Sequence, residues 1–288
     1  MTADIKEAAM ADRLTDERRD VVVVTGAGGM GTAIARRLGS GRTLFLAESS
    51  RGHLDRAVAA LTSEGYAVHG VLTDVSDRAS VEKLAQEAAG AGRLCAVVHT
   101  AGVSPATASA RTIIEVNLLG TVHVIDAFEK VATRGTSLVV ISSMAGHYAS
   151  LSRDDEAALA TAEAEDLLGL AAVAAVGDDA GTAYMVSKRA NHVRVEAAAL
   201  AWNQRGATVN TVSPGVISTA MSQAEAESPS GAHMLRMLDD CGAGRTGTPG
   251  EIAEAVAFLT GPQARFITGT DLLVDGGQAA WVRRHMRH

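Results

Sequence analysis

The sequence predicts an α/β protein: one domain on a doubly wound parallel sheet of about seven strands, with helices on both faces. Three observations carry this. Short runs rich in Val, Ile and Leu recur without polar alternation, the pattern of strands covered on both faces. Helix-forming stretches separate those runs, joined by short loops. A glycine cluster stands where the first run gives way to the first helical stretch.

The elements follow in order. VVVVT (21–25) reads as the first strand and GTAIARRL as the opening of a helix. RTLFLA (42–47) is the second strand, with a helix near 52–64. YAVHGVL (66–72) is the third, with a helix over 77–90. LCAVVHT (94–100) is the fourth, with a long helix over 106–133, and SLVVIS (137–142) is the fifth. A helix carries 183–204, ATVNTVS (207–213) is the sixth strand, and DLLVDGG closes the set. The domain is expected over 21–280, between a polar N-terminal extension (1–20) and a short solvated tail (281–288). A helical insert is expected near 147–182.

Composition excludes several classes. The 288 residues are 47% hydrophobic, enough for one large core. Net charge is −7 with no long basic run, which argues against nucleic acid. The longest strongly apolar run, LLGLAAVAAVG, is too short to span a bilayer. The opening MTADIKEAAMADRLTDERRD is polar and acidic, unlike a targeting peptide. Cys95 and Cys241 form no disulfide framework, and Cys95 is expected as plain core. A cytoplasmic protein is expected. No metal site is expected, because neither H-E-x-x-H nor paired C-x-x-C occurs.

TGAGGMG follows the first strand directly. Gly26, Gly28 and Gly31 satisfy G-x-G-x-x-G, with Gly29 and Met30 inside the turn. Glycines allow a tight turn and close backbone approach, and the helix N-terminus attracts a pyrophosphate, as in a Rossmann dinucleotide site. Glu48 ends the second strand, where a carboxylate accepts from the adenosine ribose hydroxyls and repels a 2′-phosphate. NAD is therefore favoured, with NADP kept open by nearby Arg51.

With these residues the chain resembles the short-chain dehydrogenase/reductase family over residues 21–280. TDV supplies the adenine-contact position, Asp74 with Val75. HTAG (99–102) resembles the family's Asn-Asn-Ala-Gly and places Ala101 and Gly102 at the cofactor, while His99 and Thr100 replace the two asparagines. EVNLLG carries the helix asparagine, Asn117. ISSMAG resembles the serine strand end, and YMVSK the tyrosine–lysine motif. NTVSPGVISTAM resembles the loop after the sixth strand. There Pro214 and Gly215 shape the turn, Ile217 faces the carboxamide and Thr219 makes a polar cofactor contact, by the same resemblance.

Tyr184 and Lys188 stand four apart, on one helix face. Tyr148 has no such lysine, so Tyr184 is the better base. The resemblance implies Ser143, Tyr184, Lys188 and Asn117 as the catalytic set. Tyr184 would move the alcohol proton, Ser143 would hold the substrate oxygen, Lys188 would bind ribose and lower the phenol pKa, and Asn117 would hold a water toward Lys188. The expected activity is interconversion of a secondary alcohol and a ketone. A non-catalytic dinucleotide sensor of the same fold and an NAD-using epimerase or dehydratase are the alternatives. The Met and Leu residues of 220–244 suggest an apolar substrate.

Two departures stand out. The glycine loop is one residue shorter than the family's commonest form. Ser143 and Tyr184 lie 41 positions apart, where ordinary members need about a dozen; the insert resembles in place and length that of bacterial 3-alpha-hydroxysteroid dehydrogenase/carbonyl reductase. It reads as one or two short helices with an acidic outer face, whose Leu159, Leu167, Leu168 and Leu170 should pack on the same subunit. A homo-oligomer is expected, a dimer rather than a tetramer.

Overall fold

The computed structural model describes residues 19–228 and 231–285; the expected extension lies outside the described residues through position 18. Seven parallel strands form one sheet in the order β3-β2-β1-β4-β5-β6-β7. They are β1 (Asp20–Thr25), β2 (Thr43–Glu48), β3 (Ala67–Leu72), β4 (Arg93–His99), β5 (Ser137–Ile141), β6 (Thr208–Pro214) and β7 (Asp271–Val274). The order reverses at β1, whose last residue Thr25 has Ala47 on one side and His99 on the other. The carboxyl ends of β1 and β4 therefore open a crevice between their outgoing loops, the natural ligand site of such a sheet.

The central strands β1, β4, β5 and β6 are covered on both faces, and Val21–Val24 are fully buried. The two edge strands depart from the expectation of burial on both faces. β3 is largely exposed and β7 only partly covered, because each pairs on one side and fewer helices reach it. Cys95 is likewise only partly buried, and its thiol donates to the Val21 carbonyl oxygen at 3.2 Å.

Helix α1 (Gly29–Gly39) follows β1, α2 (Arg51–Ser63) follows β2, and α3 (Arg78–Ala91) follows β3. The helical run after β4, α4, starts later than expected: Ala110–Ile113, then wider π-helical turns over Ile114–Leu119, then Gly120–Val131. Such a π-segment commonly marks a functional site, and here it carries Asn117. In the insert, α5 (Arg153–Thr161) is followed by short turns at Leu167–Gly169 and Ala171–Ala174. Helix α6 (Ala180–Gln204) starts on Asp179, whose carboxylate accepts from the N–H groups of Gly181 and Thr182. After β6 come α7 (Ala220–Ala226), α8 (Gly231–Asp240) and α9 (Pro249–Thr260), and after β7 comes α10 (Gln278–His285). The expected solvated tail is helical through His285 and buries Val282; positions 286–288 lie outside the described residues.

The insert packs on its own subunit. Leu159 and Leu167 are fully buried against Ile113 and Leu118 of α4 and Ala183, Val186 and Ala190 of α6. Leu170 is partly buried there, but Leu168 is 47% exposed, contrary to expectation. Leu167 and Leu168 are adjacent in a short turn, so only one of them can face inward. Arg189 pairs with Glu156 at 2.7 Å, Arg78 with Glu165, and Arg194 donates to the Ala162 carbonyl.

Candidate active site

The cofactor-type residues collect on one cleft at the crevice. Gly26, Gly28, Gly29, Met30 and Gly31 form one wall; Glu48, Asp74 and Val75 form the next; Ala101, Gly102 and Thr219 close it. Gly26 has φ +87°, and a Cβ there would stand 2.8 Å from the Ala101 nitrogen. At Gly31 a Cβ would sit on the Gly26 carbonyl oxygen. At Gly28, by contrast, a Cβ would meet nothing within 4 Å, so that backbone faces open space at the start of α1. A bare glycine turn leading into a helix N-terminus fits a dinucleotide pyrophosphate.

Thr100 locks this turn. Its hydroxyl donates to the Thr25 carbonyl at 2.6 Å, with Gly26 O at 3.2 Å. The sequence treats Thr100 only as a departure from a motif, yet it ties β4 to the glycine loop. His99 is buried, with Nδ1 2.7 Å from the Thr25 hydroxyl and Nε2 without a partner. Burial, with the nearby charge of Lys188, pushes its pKa down to about 3, so it stays neutral.

The Glu48 carboxylate accepts from Ala27 N at 2.9 Å and Ser50 N at 3.1 Å, which fixes it at the cleft. Asp74 is exposed and accepts from the Ser76 N–H and hydroxyl through one oxygen. Arg51 is exposed, lies 4.0 Å from Asp55, and is not part of the cleft wall.

A second pocket adjoins the cleft, sharing Met30, Thr219 and Met221 with it. Ser143 and Tyr184 meet on its wall, beside Pro214, Gly215 and Ile217. Ser143 lies two residues past β5 and caps the turn Met144–His147 by accepting from Ala145 N at 3.1 Å. Its hydroxyl acts on the Tyr184 phenol closely enough to hold that pKa down. The insert thus leaves the two catalytic candidates together despite the sequence between them. Tyr148 instead packs near Met144, Met237 and Trp281, with its hydroxyl unpartnered.

Burial pushes the Tyr184 phenol up to about 12; the neighbouring Ser143 hydroxyl offsets part of this, and the Glu225 charge adds to it. The expected lowering of the phenol pKa is therefore not a property of the chain alone. Lys188 is buried, which lowers its pKa to about 8. Its Nζ donates to Ile141 O at 3.0 Å and lies 5.5 Å from the Tyr184 ring centroid. Asn117 is buried and commits its side chain to Val103, accepting from N and donating to O, both at 2.9 Å. Asn117 and Lys188 approach each other behind Gly102, where a Cβ would be 3.2 Å from Asn117 Oδ1 and 3.8 Å from Lys188 Nζ.

One cluster of metal-ligand types escaped the sequence, because its members come from three distant segments. His147 Nε2 lies 2.9 Å from Asp271 Oδ2, and His192 Nε2 lies 3.5 Å from Asp271 Oδ1. Asp271 also accepts from the Thr211 and Ser213 hydroxyls, and His192 Nε2 sits 2.8 Å from Ser213 Oγ. Shared protons account for these contacts, and the network ties the turn after Ser143 and helix α6 to β7.

Comparisons with known proteins agree with this geometry. Residues 20–153 match the family described as short chain dehydrogenase, and residues 151–279 that described as enoyl-(acyl carrier protein) reductase. A short-chain dehydrogenase/reductase of Alternaria brassicicola, bsc3, is 38% identical over 92% of this chain and 98% of its own. The 3-alpha-hydroxysteroid dehydrogenase/carbonyl reductase of Comamonas testosteroni is 32% identical over 65% of this chain and 73% of its own. Among solved structures, a point variant of actinorhodin polyketide ketoreductase with NADPH is 26% identical, with a TM-score of 0.71 over 91% of this chain and 97% of that one. The chain belongs to the short-chain dehydrogenase/reductase family of oxidoreductases.

Proposed function

We propose that this protein interconverts a secondary alcohol and a ketone by hydride transfer, with Tyr184 as general acid/base and NAD as the preferred cofactor. The observation that carries the reading is that Ser143 and Tyr184 share the wall of a pocket opening from the glycine-lined cleft. In reduction Tyr184 gives its proton to the ketone oxygen; in oxidation it takes the alcohol proton. Ser143 has one lone pair engaged by Ala145 N–H, so its own proton is free for the phenol or for a substrate oxygen. The Lys188 ammonium near the ring favours phenolate. A nicotinamide held in the glycine-lined cleft would supply or accept the hydride, and in its oxidised form would bring positive charge to the site. Asn117 holds the Val103 loop, and its place behind Gly102 near Lys188 suits a water passing protons toward solvent.

Glu48 supports NAD. Its position is fixed by two backbone N–H groups, and remaining lone pairs can accept from ribose hydroxyls. The 2′-phosphate of NADP would meet this carboxylate, with Arg51 turned to Asp55. The Met30, Met144, Val216, Ile217 and Met221 side chains favour a mainly apolar substrate body. The non-catalytic alternative loses its ground, since Ser143, Tyr184 and Lys188 converge. An epimerase or dehydratase would want a larger substrate region than α7, α8 and α9 supply between β6 and β7.

The insert covers the outer faces of α4 and α6, which supports a dimer rather than a tetramer. No helix among the described residues is long and apolar enough to cross a membrane, and both cysteines are free thiols, in keeping with a cytoplasmic enzyme. Following nicotinamide absorbance with a panel of ketones and NADH tests the reading. Turnover abolished by Tyr184→Phe is the expected result, and no turnover of any ketone or alcohol by the unaltered enzyme would sink it.

A further inference from the structure

The pocket beside Tyr184 contains one carboxylate, Glu225 of helix α7. Its surroundings are otherwise apolar or already satisfied. Ser142 donates to the Lys188 carbonyl at 2.8 Å, Ser222 to the Thr219 carbonyl at 2.9 Å, and Thr219 to the Ile217 carbonyl at 3.3 Å. Among the described residues, no Lys, Arg or His lines this pocket. Among the described residues the Glu225 carboxylate has neither a hydrogen-bond donor nor an ion-pair partner, and burial alone raises its pKa. A half-buried carboxylate facing apolar walls loses hydration and gains nothing in return unless a donor arrives. Besides Ser143 and Tyr184, Glu225 is thus the side chain left to make a polar contact with a ligand.

Resting on the alcohol–ketone reading above, we propose that Glu225 selects substrates that carry, away from the reacting carbon, a second hydrogen-bond donor: a hydroxyl or an ammonium on an otherwise apolar body. The reacting oxygen sits between Ser143 and Tyr184, and the second donor reaches Glu225 across the same pocket. The arrangement also couples binding to chemistry. The Glu225 charge raises the Tyr184 phenol pKa, so a donor that pairs with Glu225 relieves the penalty on phenolate. A plain ketone fills the apolar walls but leaves the carboxylate unpaired, and it is discriminated against for that reason.

The test uses a series of methyl ketones that differ only at a distal carbon, which bears a methyl, a hydroxyl or an ammonium group. The readout is the ratio of kcat/KM for donor-bearing over plain ketone, in the unaltered enzyme, Glu225→Gln and Glu225→Leu. The ratio should favour donors by about 10- to 100-fold and collapse in Glu225→Leu. Glu225→Gln should keep part of the hydroxyl preference and lose the ammonium preference, because an amide accepts a hydrogen bond but carries no charge. An unaltered ratio in Glu225→Leu, or a preference of the unaltered enzyme for the plain ketone, overturns the proposal. Calorimetric binding of the corresponding alcohols in the presence of NAD separates the two readings. A donor preference in binding that depends on Glu225, without turnover of any ketone, leaves this assignment standing and removes the oxidoreductase reading. Turnover with a ranking indifferent to Glu225 does the reverse.

Discussion

Lys188 Nζ lies 5.5 Å from the centroid of the Tyr184 ring, one helical turn away on α6. The lysine is held by the Ile141 carbonyl at the end of β5, and Ser143, just beyond that strand, shares the pocket wall with the phenol. With burial holding the phenol at about 12, proton transfer depends on charge brought near it rather than on a phenol ionised beforehand. Tyr184→Phe should keep cofactor binding, measured by fluorescence titration, and lower kcat by at least about 10²- to 10⁴-fold. Ser143→Ala should cost less. Tyr148→Phe removes a buried, unpartnered hydroxyl and should leave kcat nearly unchanged. The reverse ranking of the two tyrosines would mean the wrong one has been assigned.

Cofactor choice should follow Glu48. The unaltered enzyme is expected to bind NADH more tightly than NADPH. Glu48→Ala should narrow the gap by about tenfold, through tighter NADPH binding and looser NADH binding. Dissociation constants for both nucleotides, measured on both proteins, decide it. An initial preference for NADPH would count against the role given to this carboxylate.

The histidines give a pH signature. His99 titrates at about 3 in the fold against 6.5 for an ordinary imidazole, and His192 falls to about 4; burial is the first cause in each. A folded pKa below the unfolded one means the unfolded chain binds protons first as pH falls. Stability is therefore full above 6.5 and is lost progressively between 6.5 and the folded values. His99→Asn should remove one such proton, reducing the slope of unfolding free energy by about 1.4 kcal/mol per pH unit within that window. Urea unfolding between about pH 4 and 7 reads the slope directly, and an identical slope in both proteins would refute the assignment.

The sheet was legible because β1, β2, β4 and β5 carry nearly unbroken apolar runs, and the site because the glycine, acidic and serine motifs sit at the carboxyl ends of strands while Asn117, Tyr184 and Lys188 fall at recognisable spacings in helices. Less was legible where the determinants are three-dimensional. The exposure of β3 follows from its place at the edge of the sheet, which residues 67–72 do not encode. The outward turn of Leu168 follows from Leu167 taking the inward position beside it. Glu225 resembles any acid on a polar helix until α7 is laid over the pocket. His147, His192 and Asp271 come together only when β7 pairs with β6. The raised Tyr184 pKa needs burial, which spacing between residues does not report.

The insert enters between Ser143 and Tyr184, and the proposed dimer rests on how it folds. Its buried Leu159 and Leu167 cover α4 and α6, while Arg189–Glu156 and Arg78–Glu165 pin it from two sides. Two subunits meeting through α4 and α6 would have to displace this layer, exposing the leucines it buries. A dimer that uses another face is the expected state. Replacing Leu151 to Asp179 by a short glycine link should uncover the helices and shift light-scattering mass upward, toward a tetramer. Because such a deletion also removes core packing, Leu159→Asp with Leu167→Asp supplies a milder version: it should loosen the insert, raise protease cleavage within 151–179 and raise the mass in parallel. A tetramer from the unaltered chain, or no change in mass once cleavage shows the insert released, would show that this segment does not set the assembly.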